Sequence, residues 1–200
     1  MMHFKLQPEP AKWEARCRRR GLRWLERNPN YERPKSYWTE FEPDLYQAFR
    51  GLCAYCLMKP LKGEMDHFVP IAKLKRMRRD HLAYEWKNFR YCASGINQRK
   101  SDHDVLDPFK VQNNWFQVIL PSLQLVLTNK VPKTMRKKAE FTIEQLGLRD
   151  GEVVVRNRRV WFEMYQTGEL TLAGLRGVAP LIAKAVQADL LRGKDWRDEA

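Results

Sequence analysis

From residue 51 to residue 108 the chain reads as short strands and loops, set between flanks with helical patterning. No other feature limits the fold as much. Glu64 to Val69 reads as a strand stopped by Pro70, which has no N–H to continue a ladder, and Lys87 to Tyr91 as its partner. Residues 95 to 103 read as a helix carrying Asn97 and Lys100 one turn apart, on neighbouring faces. Strand, loop, strand, helix is a ββα order, so the expected class is α+β with this segment as its core.

The same stretch holds Asp66-His67, then Asn88, then Asn97-Gln98-Arg99-Lys100-Ser101-Asp102. Few chemistries need an acid beside a histidine, an amide downstream, and an Asn-x-x-Lys on a basic segment. Hydrolysis of a phosphodiester around one divalent metal is one of them. The acid and a second oxygen donor would hold a hard cation, while the histidine stays free to deprotonate water.

Charge points the same way. Against 24 Asp+Glu stand 37 Lys+Arg, a formal net charge of +13, and such a field attracts polyanions, nucleic acids foremost. No run approaches the ~20 apolar residues that span a bilayer, so a membrane is not an expected partner. The N-terminal Met-Met-His-Phe-Lys-Leu has no apolar signal core, and a cytoplasmic protein is expected. In that compartment the four cysteines suggest a metal knuckle or redox pair at Cys53-x-x-Cys56 more than a disulfide framework.

Residues 1 to 50 are expected to form a helical N-terminal region. Positions 11 to 27 set Trp13, Cys17, Trp24 and Leu25 among basic residues, with Gly21 interrupting the pattern, and a short helix opened by Pro43 follows a turn-rich linker. Residues 109 to 200 are expected to be mostly helical. Two apolar runs, 115–120 and 123–128, could pair as a hairpin through Pro121-Ser122. Helices are expected at Pro132 to Leu146, stopped by Gly147, at Gly151 to Tyr165, and at Pro180 to Leu191. Val154, Trp161, Phe162 and Tyr165 would be core or partner-facing; aromatic side chains exposed here would form a docking surface.

Four motifs fall in one order over about fifty residues: Cys53-Ala-Tyr-Cys56, Met65-Asp66-His67-Phe-Val-Pro70, Trp86-Lys-Asn88-Phe, and Asn97-Gln-Arg-Lys100-Ser-Asp. On these the chain resembles the HNH, or ββα-metal, endonuclease family. Leu82 to Arg90, Asp104 to Phe109 and Thr142 to Leu146 extend the similarity to small HNH proteins that accompany an ATPase in prokaryotic anti-phage systems of the retron and Septu types. The resemblance implies a ββα-metal core at residues 51–108 that cleaves DNA, with RNA left open. It implies His67 as general base, Asp66 and Asn97 as ligands of Mg²⁺ or Mn²⁺, and Lys100 near the scissile phosphate. Asn88 would hydrogen-bond across the loop and orient the base. Water attacking in line would leave 5′-phosphate and 3′-hydroxyl ends, and an ATPase subunit would be the partner.

Many HNH proteins also carry two Cys-x-x-Cys pairs around a structural zinc, the second just before Asn-x-x-Lys. Here Cys92-Ala-Ser-Gly95 places glycine where the fourth cysteine would stand. Cys53, Cys56 and Cys92 supply three of the four ligands a structural Zn²⁺ needs, which His81 or His103 could complete. Alternatively the cysteines pack as small apolar groups. His103 or Asp104 could add a ligand to the divalent ion, or Asp102 and Asp104 could cap a loop. Asp107 before Pro108 suggests a turn.

Charge runs such as Arg16 to Arg20, Lys133 to Lys138 and Arg156 to Arg159 are ordinarily solvated faces. Lys73, Lys75, Arg76, Arg78 and Arg79 lie inside the motif, where they could track phosphates. Two competing expectations are a basic nucleic-acid-binding module that keeps this fold without turnover, and a metal-knuckle adaptor. The adaptor leaves Asp66-His67 unaccounted for.

Overall fold

A computed structural model describes residue 1 and residues 3–199. The chain is mixed α and β, with two small antiparallel sheets and helices through both flanks. It divides into two compact units, neither of which follows the sequence-based boundaries at 50 and 108. One comprises Phe4–Cys53 and Pro60–His103, so the N-terminal helices share a unit with the ββα segment. The other gathers Ala54–Lys59, the chain from Asp104 onward, and the N-terminal Met1 and His3.

The first unit has an aromatic core. Trp13 is fully buried and its ring lies 5.0 Å from those of Phe41 and Trp86 and 5.4 Å from Phe89. Its indole N–H donates to the Tyr84 carbonyl at 3.1 Å, as a buried tryptophan requires. A π-helical turn, Glu14–Arg18, runs directly into α1 (Arg19–Arg27). Gly21 does not interrupt this helix. A Cβ there would stand 2.3 Å from the Tyr84 ring, so glycine is what lets the helix close onto that ring. Arg18 anchors the turn, pairing with Glu9, Glu14 and, at 3.0 Å, Glu85. The short helix α2 (Glu42–Ala48) carries proline in its first turn, where a missing N–H is harmless.

Strand β1 (Gly63–His67) pairs antiparallel with β2 (Phe89–Ala93), Gly63 opposite Ala93 and His67 opposite Phe89. Both strands are offset from the expected limits. β1 ends at His67 because Pro70 caps a further helix, α3 (Ile71–Arg76), within the basic connection between the strands. β2 begins at Phe89 because Trp86–Asn88 is wound as a 3₁₀ turn. Helix α4 (Ser94–Lys100) follows and stops where Ser101 takes a positive φ of 45°.

In the second unit the two apolar runs do form a hairpin, β3 (Phe116–Ile119) with β4 (Gln124–Leu127). Helices α5 (Lys133–Gln145), α6 (Glu152–Gln166) and α8 (Pro180–Leu190) match the expected ones, and α5 ends just before Gly147 at φ 61°. Helix α7 (Leu172–Val178) was not anticipated. Two glycines mask its pattern, and it starts from Thr171, whose Oγ1 accepts the Gly174 N–H at 3.0 Å. Val154, Phe162 and Tyr165 are buried within this unit, while Trp161 is half-buried and Phe141 on α5 is exposed. Arg158 is also buried, at 1% exposure, so the Arg156 to Arg159 run is not a uniformly solvated face. Among the described residues no helix is long and apolar enough to cross a membrane.

Candidate active site

Alternation along β1 sends Glu64 and Asp66 to one face and His67 to the other. The two faces meet different chemistry. On the first, α4 supplies two side chains one turn apart. Asn97 Nδ2 donates to Glu64 Oε1 at 2.9 Å, and Lys100 Nζ donates to Asp66 Oδ1 at 2.9 Å. Lys100 also donates to the His67 carbonyl at 2.9 Å. Asp66 is 3% exposed and Lys100 0%, so this ion pair is sealed.

The second face holds the imidazole. The His67 ring sits 4.4 Å from Phe89 and 4.6 Å from Trp38, edge-on to the indole. Its Nε2 lies 2.9 Å from the Ala83 carbonyl. A carbonyl can only accept, so Nε2 carries the proton and Nδ1 keeps a lone pair. Burial against these rings pushes the His67 pKa down to about 4, the Lys100 charge pushes the same way, and the Ala83 hydrogen bond opposes both. The ring is therefore neutral at neutral pH.

Asn88 organises the surroundings of that ring. Its Oδ1 accepts the Val69 N–H at 2.8 Å, and its Nδ2 donates to the carbonyls of Val69 and Leu82, both at 3.2 Å. The Phe68 N–H donates to the Asn88 carbonyl at 2.7 Å. One amide thus ties the residues following His67 to Leu82, the neighbour of the Ala83 carbonyl that holds the imidazole. These hydrogen bonds cross the loop between Val69 and Leu82.

Two expected roles change. Lys100, expected beside a scissile phosphate, is instead withdrawn from solvent, because a carboxylate buried as deeply as Asp66 requires a countercharge. Asp66 and Asn97, expected to share one ion, are each engaged in a separate polar pair. The sequence reading passed over Glu64, which Asn97 contacts. Strand period alone could have flagged it, since Glu64 and Asp66 are two residues apart on one face.

The Glu64 and Asp66 carboxylates and the Asn97 amide oxygen are hard oxygen donors, the type that suits Mg²⁺ or Mn²⁺. Among the described residues no three His, Cys, Asp or Glu side chains are grouped to hold a metal. Cys17, Cys53, Cys56 and Cys92 are all buried and none forms a disulfide. Cys53 and Cys92 belong to one unit and Cys56 to the other. Burial pushes the Cys17 thiol up to about 12, which makes it an apolar packing group at neutral pH.

The loop acids and basic residues fall out as follows. Asp102 pairs with Arg76 at 3.3 Å, and Asp104 with Lys138 at 2.8 Å. Asp107 accepts the Phe109 N–H at 3.0 Å, the turn expected before Pro108. His81 and His103 are exposed. Lys73, Lys75 and Arg76 sit on α3, where the Lys75 ammonium lies 4.7 Å from the centre of the Tyr31 ring and donates to the Tyr31 carbonyl. Arg78, at a positive φ of 53°, and Arg79 continue past the helix end with their side chains in solvent. No family model, no curated protein and no solved structure matches the chain.

Proposed function

We propose that the chain is a divalent-metal-dependent endonuclease of the HNH type that hydrolyses phosphodiester bonds in DNA, with the ββα segment as its catalytic core. The observation that carries this reading is the state of His67: neutral, fixed in one tautomer by the Ala83 carbonyl, and held at a strand end by the Asn88 clamp. In this reading Nδ1 would take the proton from water, and the Ala83 carbonyl would stabilise the imidazolium that results. A phosphodiester placed beside the ring would raise its proton affinity at the moment the base is needed, because an anion favours the cationic form.

Glu64, Asp66 and Asn97 would hold the ion, with Asp66 released from Lys100. When bound, Mg²⁺ or Mn²⁺ would neutralise charge developing on the leaving oxygen. Lys73, Lys75, Arg76, Arg78 and Arg79 would follow the phosphate backbone, which carries affinity without sequence preference. An ATPase subunit that restrains or triggers cleavage, as in an anti-phage system, belongs to the same proposal and rests on the family resemblance.

The test is to incubate wild type and His67→Ala with supercoiled plasmid, single-stranded DNA and RNA, with and without Mg²⁺. Metal-dependent nicking by wild type alone supports the reading; cleavage by both proteins, or by neither, removes it. One observation favours a second reading. The sealed Asp66–Lys100 pair occupies a carboxylate that the ion would need, which suits a basic binding module without turnover. DNA binding with no nicking under any metal would select that reading. Metal analysis finding about one zinc per chain would assign Cys53, Cys56 and Cys92 to a structural site, and zinc-free folded protein would make them packing groups.

A further inference from the structure

The second unit contains a groove of about 530 Å³ along one side of its hairpin. Its lining takes in every residue from Phe116 to Leu120 and none from Gln124 to Leu127, so it follows β3 on the side away from β4. Register shows which backbone groups face it. The Leu125 N–H donates to the Arg149 carbonyl at 3.0 Å, so it points away from β3. Leu125 is opposite Val118, which makes that a non-hydrogen-bonded pair and turns the Val118 N–H and C=O outward too. Phe116, two residues back, has the same orientation. β3 is therefore an edge strand whose outward groups face a groove.

The opposite wall is one stripe of α8: Leu181, Lys184, Ala185 and Ala188, continuing to Asp189 and Arg192. Small apolar side chains there leave room beside the strand, and the charge above them is positive. Lys130, Lys184 and Arg192 line the groove against a single carboxylate, Asp189. That carboxylate is already taken by Arg192 and by the Trp196 N–H at 2.8 Å. Lys184 donates to the Asn113 carbonyl at 3.2 Å.

We propose that this groove binds an acidic, extended peptide segment of a partner protein as an added strand on β3. Four residues of β3 offer about 13 Å of edge at strand rise, enough for a segment of about four residues. Main-chain hydrogen bonds to Phe116 and Val118 would set its direction. Carboxylates on alternate positions would meet Lys130, Lys184 and Arg192, and small apolar residues between them would face Ala185 and Ala188. The proposal is independent of the chemistry proposed for the other unit.

The probe is a fluorescein-labelled peptide of alternating glutamate and valine, measured by anisotropy with the full chain. Three comparisons accompany it: the same peptide N-methylated at alternate residues, its lysine–valine counterpart, and the Lys184→Glu/Arg192→Glu double variant. Both substituted residues are exposed, and thermal melting verifies that the variant is folded. The expected result is binding of the acidic peptide only, weakened at least tenfold by either the N-methyl groups or the double substitution. Equal binding of the N-methylated peptide would overturn strand addition. No binding, or binding unchanged in the double variant, would overturn the site. A dimer that forms without peptide and is lost in the double variant would assign the edge to a second copy and overturn the peptide.

Discussion

Each unit of this protein completely buries basic side chains, and one from each, Lys100 and Arg158, are neutralised differently. Lys100 faces a carboxylate, Asp66, with the His67 carbonyl as second acceptor. Arg158 pairs with no carboxylate among the described contacts and is held by three carbonyls, Leu148 at 2.7 Å, Leu123 at 2.8 Å and Arg149 at 3.3 Å. Burial pushes the Arg158 pKa down to about 10, with the nearby Cys56 opposing, and the guanidinium stays charged. The planar fork of arginine suits several fixed carbonyls, here at the hairpin turn and the α5–α6 connection. An ammonium suits one strong anion. The first arrangement closes a loop junction. The second sequesters an acid on the strand that ends in His67, and an entering cation could claim that acid.

The largest effect expected along this comparison is on turnover. His67→Ala should lower plasmid nicking by roughly 10²–10⁴-fold, the usual contribution of a positioned base, with DNA binding by gel shift nearly unchanged. Lys100→Met should come next. It removes the Lys100 countercharge from a buried Asp66 and should destabilise the fold by about 3–5 kcal/mol in urea unfolding. Adding Asp66→Asn should recover much of that loss; an additive double mutant would break the claim that the pair is coupled. Arg158→Met should lose about 3 kcal/mol by leaving carbonyls unsatisfied, and Arg158→Lys should recover only part of it, since one ammonium cannot serve all three. Full recovery by lysine would erase the contrast between the two sites.

A smaller effect is tied to pH. The His67 pKa is about 4 in the fold and near 6.5 when the chain is unfolded. Between those values the unfolded chain binds the extra proton, so stability from this group is complete above pH 6.5 and is lost as pH falls toward 4. His67→Gln should flatten that part of the stability profile, measured by urea midpoints from pH 7 to pH 4. An unchanged slope would mean that the ring is more hydrated than its contacts with Trp38 and Phe89 imply.

The contrast also separates what could be read in advance from what could not. Asp66, His67, Asn88, Asn97 and Lys100 stood out because their order and spacing are unusual, and the structure gathers all five around β1, the turn before β2, and α4. Their pairing was not legible. Nothing in the spacing says that Lys100 would fold back onto Asp66, or that Asn97 would choose Glu64. Arg158 could not be separated from its exposed neighbours Arg156 and Arg159, since helical phase alone does not say which side another element will cover. Helix α7 is hard to read in the sequence because its glycines lower local propensity, and the neighbouring α6 and α8 supply the compensating contacts.

The sequence by itself determined the alternation of strand and helix, the positive field, and the cluster Asp66, His67, Asn88, Asn97 and Lys100, though not Glu64. Local periodicity and residue chemistry are carried by neighbours a few positions apart. Tertiary structure alone decided which of those residues are sealed and which remain available, the protonation state of His67, and the open edge of β3. Burial, hydrogen-bond choice and proton affinity depend on groups brought together from distant parts of the chain, and no short stretch of sequence contains them.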